Sequence, residues 1–410
     1  MTAPRIAGLM IIAALAAGIF LRICNHDNVT VRSPDEAIYT WQSNVIIEYG
    51  GDAMGALLAS YNKDKELWKL PPPTRIGYLW PLSYFMELTG IHDERAGSYL
   101  SLAFSILTLM FLAAFALKYF NGWIALYAVL MMGASAMDIA ISRRAWQDAV
   151  FGGLGFILVY AASEVITGKG KALWSALFVV LGSYLILIKE SGAVFYALCI
   201  MWLLFFLYRQ KRFAEAPKLL AGIAAGAVCS FALLSLAAGG PSNLMGVMMH
   251  VRDGMPVNAY AVEYQTGPWY NIVLALFTIS PLNTVLCLAG IVFFIARRKD
   301  EAVRPEIASG VILILLAFAS VAVIAPYCQN LRYISPVFAL FYLVGGIGAW
   351  HIFGYFRSKA GGNALKAAVI VIAAAVLVSA FADYAYFRKA FIEKNALDIS
   401  VRVLKERPRI

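Results

Sequence analysis

Apolar runs of roughly 17–25 residues recur along nearly the whole of this 410-residue chain. Runs of that length cross a bilayer as helices and are too long for barrel strands. Lipid offers no partner to a backbone N–H or C=O, and a helix closes those bonds within itself. The hydropathy pattern predicts an all-α polytopic membrane protein with about eleven transmembrane helices. They are expected near 6–23, 98–118, 121–141, 147–167, 172–188, 191–208, 217–238, 269–296, 306–326, 332–355 and 364–382. The fifth and sixth are parted only by Lys189 and Glu190. The first run has the form of a signal peptide, but with ten further spans it is read as a retained helix. No internal repeat or low-complexity segment is visible.

Composition agrees with this class. The chain is 61% hydrophobic and only 14% charged, far from a soluble domain. Its net charge of +10 suggests nucleic acid, but the positions argue otherwise. The short loops "KYFNGW", "TGKGKALW", "YRQKRFAEAPK", "ARRKDEAVRPE" and "FRSKAGGNALK" are basic and alternate along the chain, as cytoplasmic loops do. The long first loop (24–97), "SRRAWQD", "KESG", 239–268, "CQNLR" and a short tail (383–410) then face the other compartment. Residues 1–382 form one transmembrane domain in this reading. The tail is expected to be an outer-surface helix or small appended element. Five cysteines without CxxC spacing read as small core residues, with a Cys24–Cys328 disulfide conceivable but unsupported.

The outer loop 24–97 has room for two interfacial helices. One begins near Ala37, with Ile38, Trp41, Val45, Ile46 and Tyr49 at amphipathic spacing. The other is "RIGYLWPLSYFMELTG", after the triple proline Pro71–Pro73. The stretch between them reads as a polar loop.

The unusual residues gather on this outer side. Ser33, Pro34 and Glu36 form a capping box, which leaves Asp35 unexplained by local structure. Arg144 and Asp148 are four apart, on one helical face if the helix runs through both. Asp148 lies just inside an apolar run, where an acid is costly. Lys189 and Glu190 interrupt another run, either pairing with each other or presenting a cation to a phosphate. Arg332 and Tyr333 open a later span, where a snorkelling Arg and a belt Tyr are the simpler account. Arg75, Arg95 and Arg143 add to the positive charge. His26, His92, His250 and His351 have no metal-binding spacing; the first three lie outside and are candidates for a cation site with Asp35 or Glu36. No Gly-rich phosphate loop is present. Such a face suits an anionic lipid headgroup: cations hold a phosphate, and a carboxylate acts on a hydroxyl.

Together these residues resemble the polytopic glycosyltransferases of the GT-C fold, nearest to the protein mannosyltransferase and aminoarabinose transferase superfamily. The resemblance rests on an ordered set across about 35–340: Asp35-Glu36 in "SPDEAIY", "PPPTRIGYLWPLSYFMELTG" leading to "ERAGSYLSLAFSIL", "SRRAWQDAVF", "IKESGAVF", "GPWYNIVLALFTISP" and "LRYISP". It implies an inverting transfer from a sugar on a polyprenyl phosphate to a lipid, glycan or protein acceptor. The reaction would run on the extracytoplasmic face, with a bacterial plasma membrane the expected location and envelope synthesis the expected setting. Asp35 would be the general base. Arg144, Lys189, Arg332 and Tyr333 would bind the donor phosphate. Asp148 and Glu36 would orient those cations or bind a divalent ion, since metal dependence varies within the superfamily. The chain departs from the eukaryotic protein mannosyltransferases in lacking a large soluble insertion, which leaves the acceptor open. The competing readings are a secondary transporter or lipid flippase, and a non-catalytic membrane scaffold. Transporters tend to show repeated halves and broken helices at the midplane.

Overall fold

A computed structural model describes residues 3–29, 32–168, 171–296, 303–359 and 362–393. In chain order its helices are α1 (Ala3–Ile23), α2 (Pro34–Tyr49), α3 (Ala53–Lys63), α4 (Ile76–Thr89), α5 (Glu94–Tyr119), α6 (Gly122–Gly133), α7 (Ala136–Ser142), α8 (Gln147–Thr167), α9 (Lys171–Ile188), α10 (Ser191–Arg209), α11 (Ala216–Ala237), α12 (Pro241–Gly254), α13 (Ala259–Tyr264), α14 (Asn271–Ile279), α15 (Pro281–Ala296), α16 (Pro305–Ile324), α17 (Phe338–Lys359) and α18 (Gly362–Phe387). Among the described residues there is no strand. The protein is all-α, polytopic and integral to the membrane.

Among the described residues eight helices are long and apolar enough to cross a bilayer, or nine if the bent pair α6–α7 is one span. α9 and α15 are shorter apolar helices. These places coincide with the eleven expected segments, but length and composition alone carry eight or nine of them. α8 is the central helix. Of its apolar window 83% is buried, against 17% for the window that contains α11. It packs against α5, α9, α10 and a short 3-10 stretch, Leu331–Val337.

Two of the expected spans are broken. The segment 121–141 bends by 55° between α6 and α7. Ser135 restarts the helix by accepting the Asp138 N–H at 3.2 Å. The carbonyls released at the break have no water to turn to. Arg22, at the end of α1, donates to Met132 O and Gly133 O at 2.9 Å each. The same guanidinium meets Asp138 at 2.5 Å and Ser105 at 2.7 Å. Close approach of α1 to α6 requires glycine, since a Cβ on Gly18 would stand 2.9 Å from the Gly133 Cα. Small residues at such contacts let helix backbones meet in lipid. The segment 269–296 breaks at Ser280, because Pro281 has no N–H and disfavours helical backbone in the residue before it.

Replacing Arg22 with Met leaves Asp138 buried without its cation and removes a donor from Met132 O and Gly133 O. The expected loss is about 3–5 kcal/mol of stability, read as a lower unfolding temperature in detergent. An unchanged unfolding temperature would mean that the break is held by other contacts.

The segment between α1 and α5 differs from expectation in two ways. It holds three helices rather than two, because α3 occupies part of what reads as loop. Gly50, Gly51 and Gly55 mask α3 in the sequence. It is held by long-range packing of Leu58 and Tyr61 against Val247. α2 is also turned relative to its apolar pattern. Its buried residues are Glu36, Tyr39, Thr40, Gln42 and Ser43, while Trp41 and Tyr49 are exposed. Its polar face packs onto α4 and the ionic cluster described below, so its aromatic face is left for the bilayer interface. α4 shows the same habit, with Leu79, Leu82 and Met86 inside and Trp80, Tyr84 and Leu88 exposed. The five cysteines are free thiols. Of the tail, Arg388–Glu393 continues beyond α18 as a π turn, and 394–410 lies outside the described residues.

Candidate functional site

The N-terminus of α2 is placed by its own sequence. Glu36 accepts the Ser33 backbone N–H at 2.7 Å, closing the expected box. Glu36 is fully buried and goes further, binding Arg144 and the Ala145 N–H at 3.0 Å each, and Arg32 at 3.0 Å. It thereby pins α2 to the turn before α8. The Trp146 indole N–H donates to the Ser33 hydroxyl at 2.9 Å, a second clasp between the same segments. Glu36 thus faces the turn, whereas Asp35, one residue earlier, faces the cluster of cations.

Asp35 Oδ2 meets Arg332 Nη2 at 2.5 Å. Arg332 comes from the 3-10 stretch before α17, where the Asn330 side chain accepts its backbone N–H at 3.1 Å. Its guanidinium lies over the rings of Trp146, at 4.9 Å, and Tyr333, at 5.2 Å. Beside it, Lys189 Nζ meets Asp148 Oδ1 at 2.7 Å. Lys189 ends the α9 segment, and Asp148 stands in the first turn of α8. The Lys189 ammonium also sits 4.2 Å from the centre of the Tyr333 ring. Burial pushes the Lys189 ammonium below the usual lysine range, with Asp148 acting against that push.

A third ion pair adjoins these two. Arg75, the residue before α4, bridges both oxygens of Glu190 at 3.3 and 3.0 Å and donates to the Tyr39 hydroxyl at 2.7 Å. Burial alone would raise the Glu190 carboxyl, but Arg75 outweighs it and holds the group below its ordinary range. A depressed carboxylate contributes stability above its unfolded value and loses that contribution as pH falls through its folded value. Wild type is therefore expected to unfold at a higher temperature than Glu190→Gln at pH 7. The gap should close below about pH 4, where an ordinary Glu takes up its proton. Melting curves of the two proteins from pH 7 to 3 check this, and a gap independent of pH would remove Arg75–Glu190 as its source.

Asp35, Asp148, Lys189, Arg332 and Tyr333 thus converge at one end of the bundle. Arg144 is near but engaged with Glu36. It was expected to share a helical face with Asp148, yet α8 begins only at Gln147, so Arg144 lies in the preceding turn. Lys189 and Glu190, adjacent in sequence, pair with different partners. Arg95 pairs with Asp93 on the surface. Arg143 closes the C-terminus of α1, donating to Cys24 O at 2.7 Å and Leu21 O at 3.1 Å. The histidines do not assemble with the acids. His26 stacks on Tyr99, His92 contacts Asn44, and His250 stacks on Trp68 at 4.0 Å. His351 packs against Phe293 in α15. Arg75, Glu190, Tyr39 and Trp146 are cluster members that sequence reasoning left out of the site. Only the first two carried a signal, as charges flanking apolar runs.

Among the described residues no three His, Cys, Asp or Glu side chains come together as metal ligands. Asp35 and Asp148 each face a cationic side chain instead, so this donor set does not fit a divalent ion. A crevice of about 620 Å³ opens one turn along α2 from Asp35, between Ile38, Trp41, Ser60, Lys63, Asp64 and Leu67. A second cavity, of about 490 Å³, is lined by Thr167, Gln210, Arg212, Arg304 and Glu306. It stands at the far end of α8, on the order of 28 Å from Asp148 at 1.5 Å per residue, and shares no residue with the cluster.

No protein-family model matches the chain, and no curated protein matches it in sequence. Solved structures do match in fold. ArnT from Cupriavidus metallidurans bound to undecaprenyl phosphate superimposes with a TM-score of 0.59 at 16% identity, covering 94% of this chain and 75% of that one. The Archaeoglobus fulgidus oligosaccharyltransferase in complex with Zn and sulfate gives 0.58 at 12% identity, covering 92% of this chain and 53% of that one. The archaeal oligosaccharyltransferase AglB from the same organism, in complex with an inhibitory peptide and a dolichol-phosphate, gives 0.56 at 12% identity, covering 94% and 56%. The chain thus spans about half the length of the oligosaccharyltransferases it matches. With likeness of this extent over nearly all of its length, this multi-pass membrane protein has the GT-C fold.

Proposed function

We propose that the protein is a membrane glycosyltransferase that moves a sugar from a polyprenyl-phosphate carrier to an acceptor hydroxyl, with inversion at the anomeric carbon. The observation that carries this reading is the convergence of Asp35 with Arg332, Lys189 and Tyr333, from three distant segments, on a GT-C scaffold. That solved relatives in fold hold undecaprenyl phosphate or dolichol-phosphate supports the class of donor.

Asp35 takes the proton from the acceptor hydroxyl as that oxygen attacks. It stands in the first turn of α2 with part of its side chain exposed. Arg332 and Lys189 face the leaving phosphate, and fixed cations in a site shielded from water act strongly on developing charge. Asp148 holds Lys189 in place, and Glu36 fixes the α2 terminus through Arg144. The basic loops read from the sequence as cytoplasmic, which supports a reaction on the extracytoplasmic face, in a bacterial plasma membrane if the host is bacterial.

The test is incubation of purified protein with a panel of labelled polyprenyl-phosphate sugars and envelope extracts. Consumption of one donor and a product heavier by one sugar supports the reading. If no donor in a broad panel is consumed, the reading fails.

A further inference from the structure

Arg332 is only partly used by its carboxylate. A guanidinium and a carboxylate can pair through two parallel hydrogen bonds, but here Nη2 alone reaches Asp35, through Oδ2 alone, at 2.5 Å. Arg332 Nε is buried and has no hydrogen-bond partner among the described residues. A buried N–H donor without a partner is costly. The Trp146 and Tyr333 rings hold the guanidinium from its faces, so its position does not depend on Asp35.

The other two ion pairs of the cluster are tied more fully. Arg75 uses two nitrogens on two oxygens of Glu190 and adds Tyr39. Lys189 and Asp148 are each more than nine-tenths buried. Asp35 is held through a single contact and sits at a helix N-terminus, where its charge is favoured without Arg332. Within these three pairs acids and cations balance, so a phosphodiester anion bound among them takes a cation from one. The pair built to yield is Asp35–Arg332.

We infer that Asp35 and the donor phosphate are alternative partners of Arg332: the carboxylate contact masks the base, and the phosphate contact frees it. The inference rests on the function proposed above and deepens it. Asp35 Oδ2, occupied by the Arg332 N–H, is not open to an acceptor hydroxyl. The spare Nε and the released Nη2 together offer the phosphate the two-point grip that Asp35 does not make.

The transfer itself then balances. The acceptor oxygen bonds to the anomeric carbon, the bond from that carbon to the phosphate oxygen breaks, and the hydroxyl proton passes to Asp35. The phosphodiester monoanion becomes a phosphomonoester dianion while Asp35 becomes neutral. Negative charge moves from Asp35 to the phosphate, and Arg332 is already there. The base is thus freed only once donor is bound.

Competition makes a sign-specific prediction. The probe is undecaprenyl phosphate, titrated into the full chain in detergent. Asp35→Asn is expected to bind it roughly tenfold more tightly than wild type, the scale of one coupled charge contact. Arg332→Met should bind more weakly, and the double variant should show no tightening from the Asn. Asp35→Ser, which cannot make the charged contact either, repeats the test in case the Asn variant does not fold. Equal or weaker binding by both Asp35 variants overturns the inference, as does tightening that persists without Arg332. If wild type and all variants fail to bind the probe, the proposed donor class falls first and the inference with it. Binding by wild type without tightening sinks the inference alone.

Discussion

Asp35→Asn is expected to lower turnover by about 10²–10⁴-fold, the usual worth of a positioned general base. The substitution keeps the shape of the side chain and removes its ability to take a proton. The Asn oxygen can still accept from Arg332 and the pair is partly exposed, so the loss of stability should stay below the roughly 3–5 kcal/mol of a broken buried pair. Asp35 is partly exposed, its capping role belongs to Ser33 and Glu36, and the helix-dipole contribution of an acid at this position is about 0.3–1 kcal/mol. A loss of rate with an unchanged unfolding temperature therefore reads chemistry rather than folding. Asp35→Glu restores the carboxylate but displaces it by one methylene. Misplacement by about 1 Å can cost on the order of 10²-fold, so this variant should recover only part of the rate. Single-turnover measurement with saturating donor is the check, and a fully active Asn variant would remove Asp35 as the base.

The second large effect concerns Lys189. Lys189→Met removes the cation proposed to face the leaving phosphate, with an expected loss of roughly 10²–10³-fold in kcat. It also leaves Asp148 buried and unpaired, at a cost of about 3–5 kcal/mol. The two effects separate in a double variant. Asp148→Asn in the Lys189→Met background removes the orphaned charge, so the unfolding temperature should return most of the way to wild type. Turnover should not return, because the phosphate still lacks its cation. Recovery of both together would make Lys189 a structural residue whose only task is to neutralise Asp148.

These residues were legible in the sequence to different degrees. Asp35 stood out because the capping box accounts for its neighbours and leaves it over. Lys189 and Arg332 stood out as charges at the ends of apolar runs. Which acid each would meet was not legible. Spacing of four suggested Arg144 with Asp148, but the helix that would align them starts three residues after Arg144, and Glu36 takes the arginine instead. Trp146 carried no signal of its own and proves to be the surface on which Arg332 rests. The amphipathic spacing of α2 did not show that Glu36, Gln42 and Ser43 are buried.

By itself the sequence determined what depends on neighbours along the chain and on the solvent. Apolar runs long enough to cross lipid become helices because lipid cannot pair a peptide group, and Ser33 starts a helix because its backbone is satisfied there. Only the tertiary structure decided which acid meets which cation. Asp35 and Arg332 lie 297 residues apart, and several other arginines carry the same charge. Charge attracts without regard to sequence, so the choice falls to the helix packing that brings α2 and the start of α17 against the N-terminus of α8.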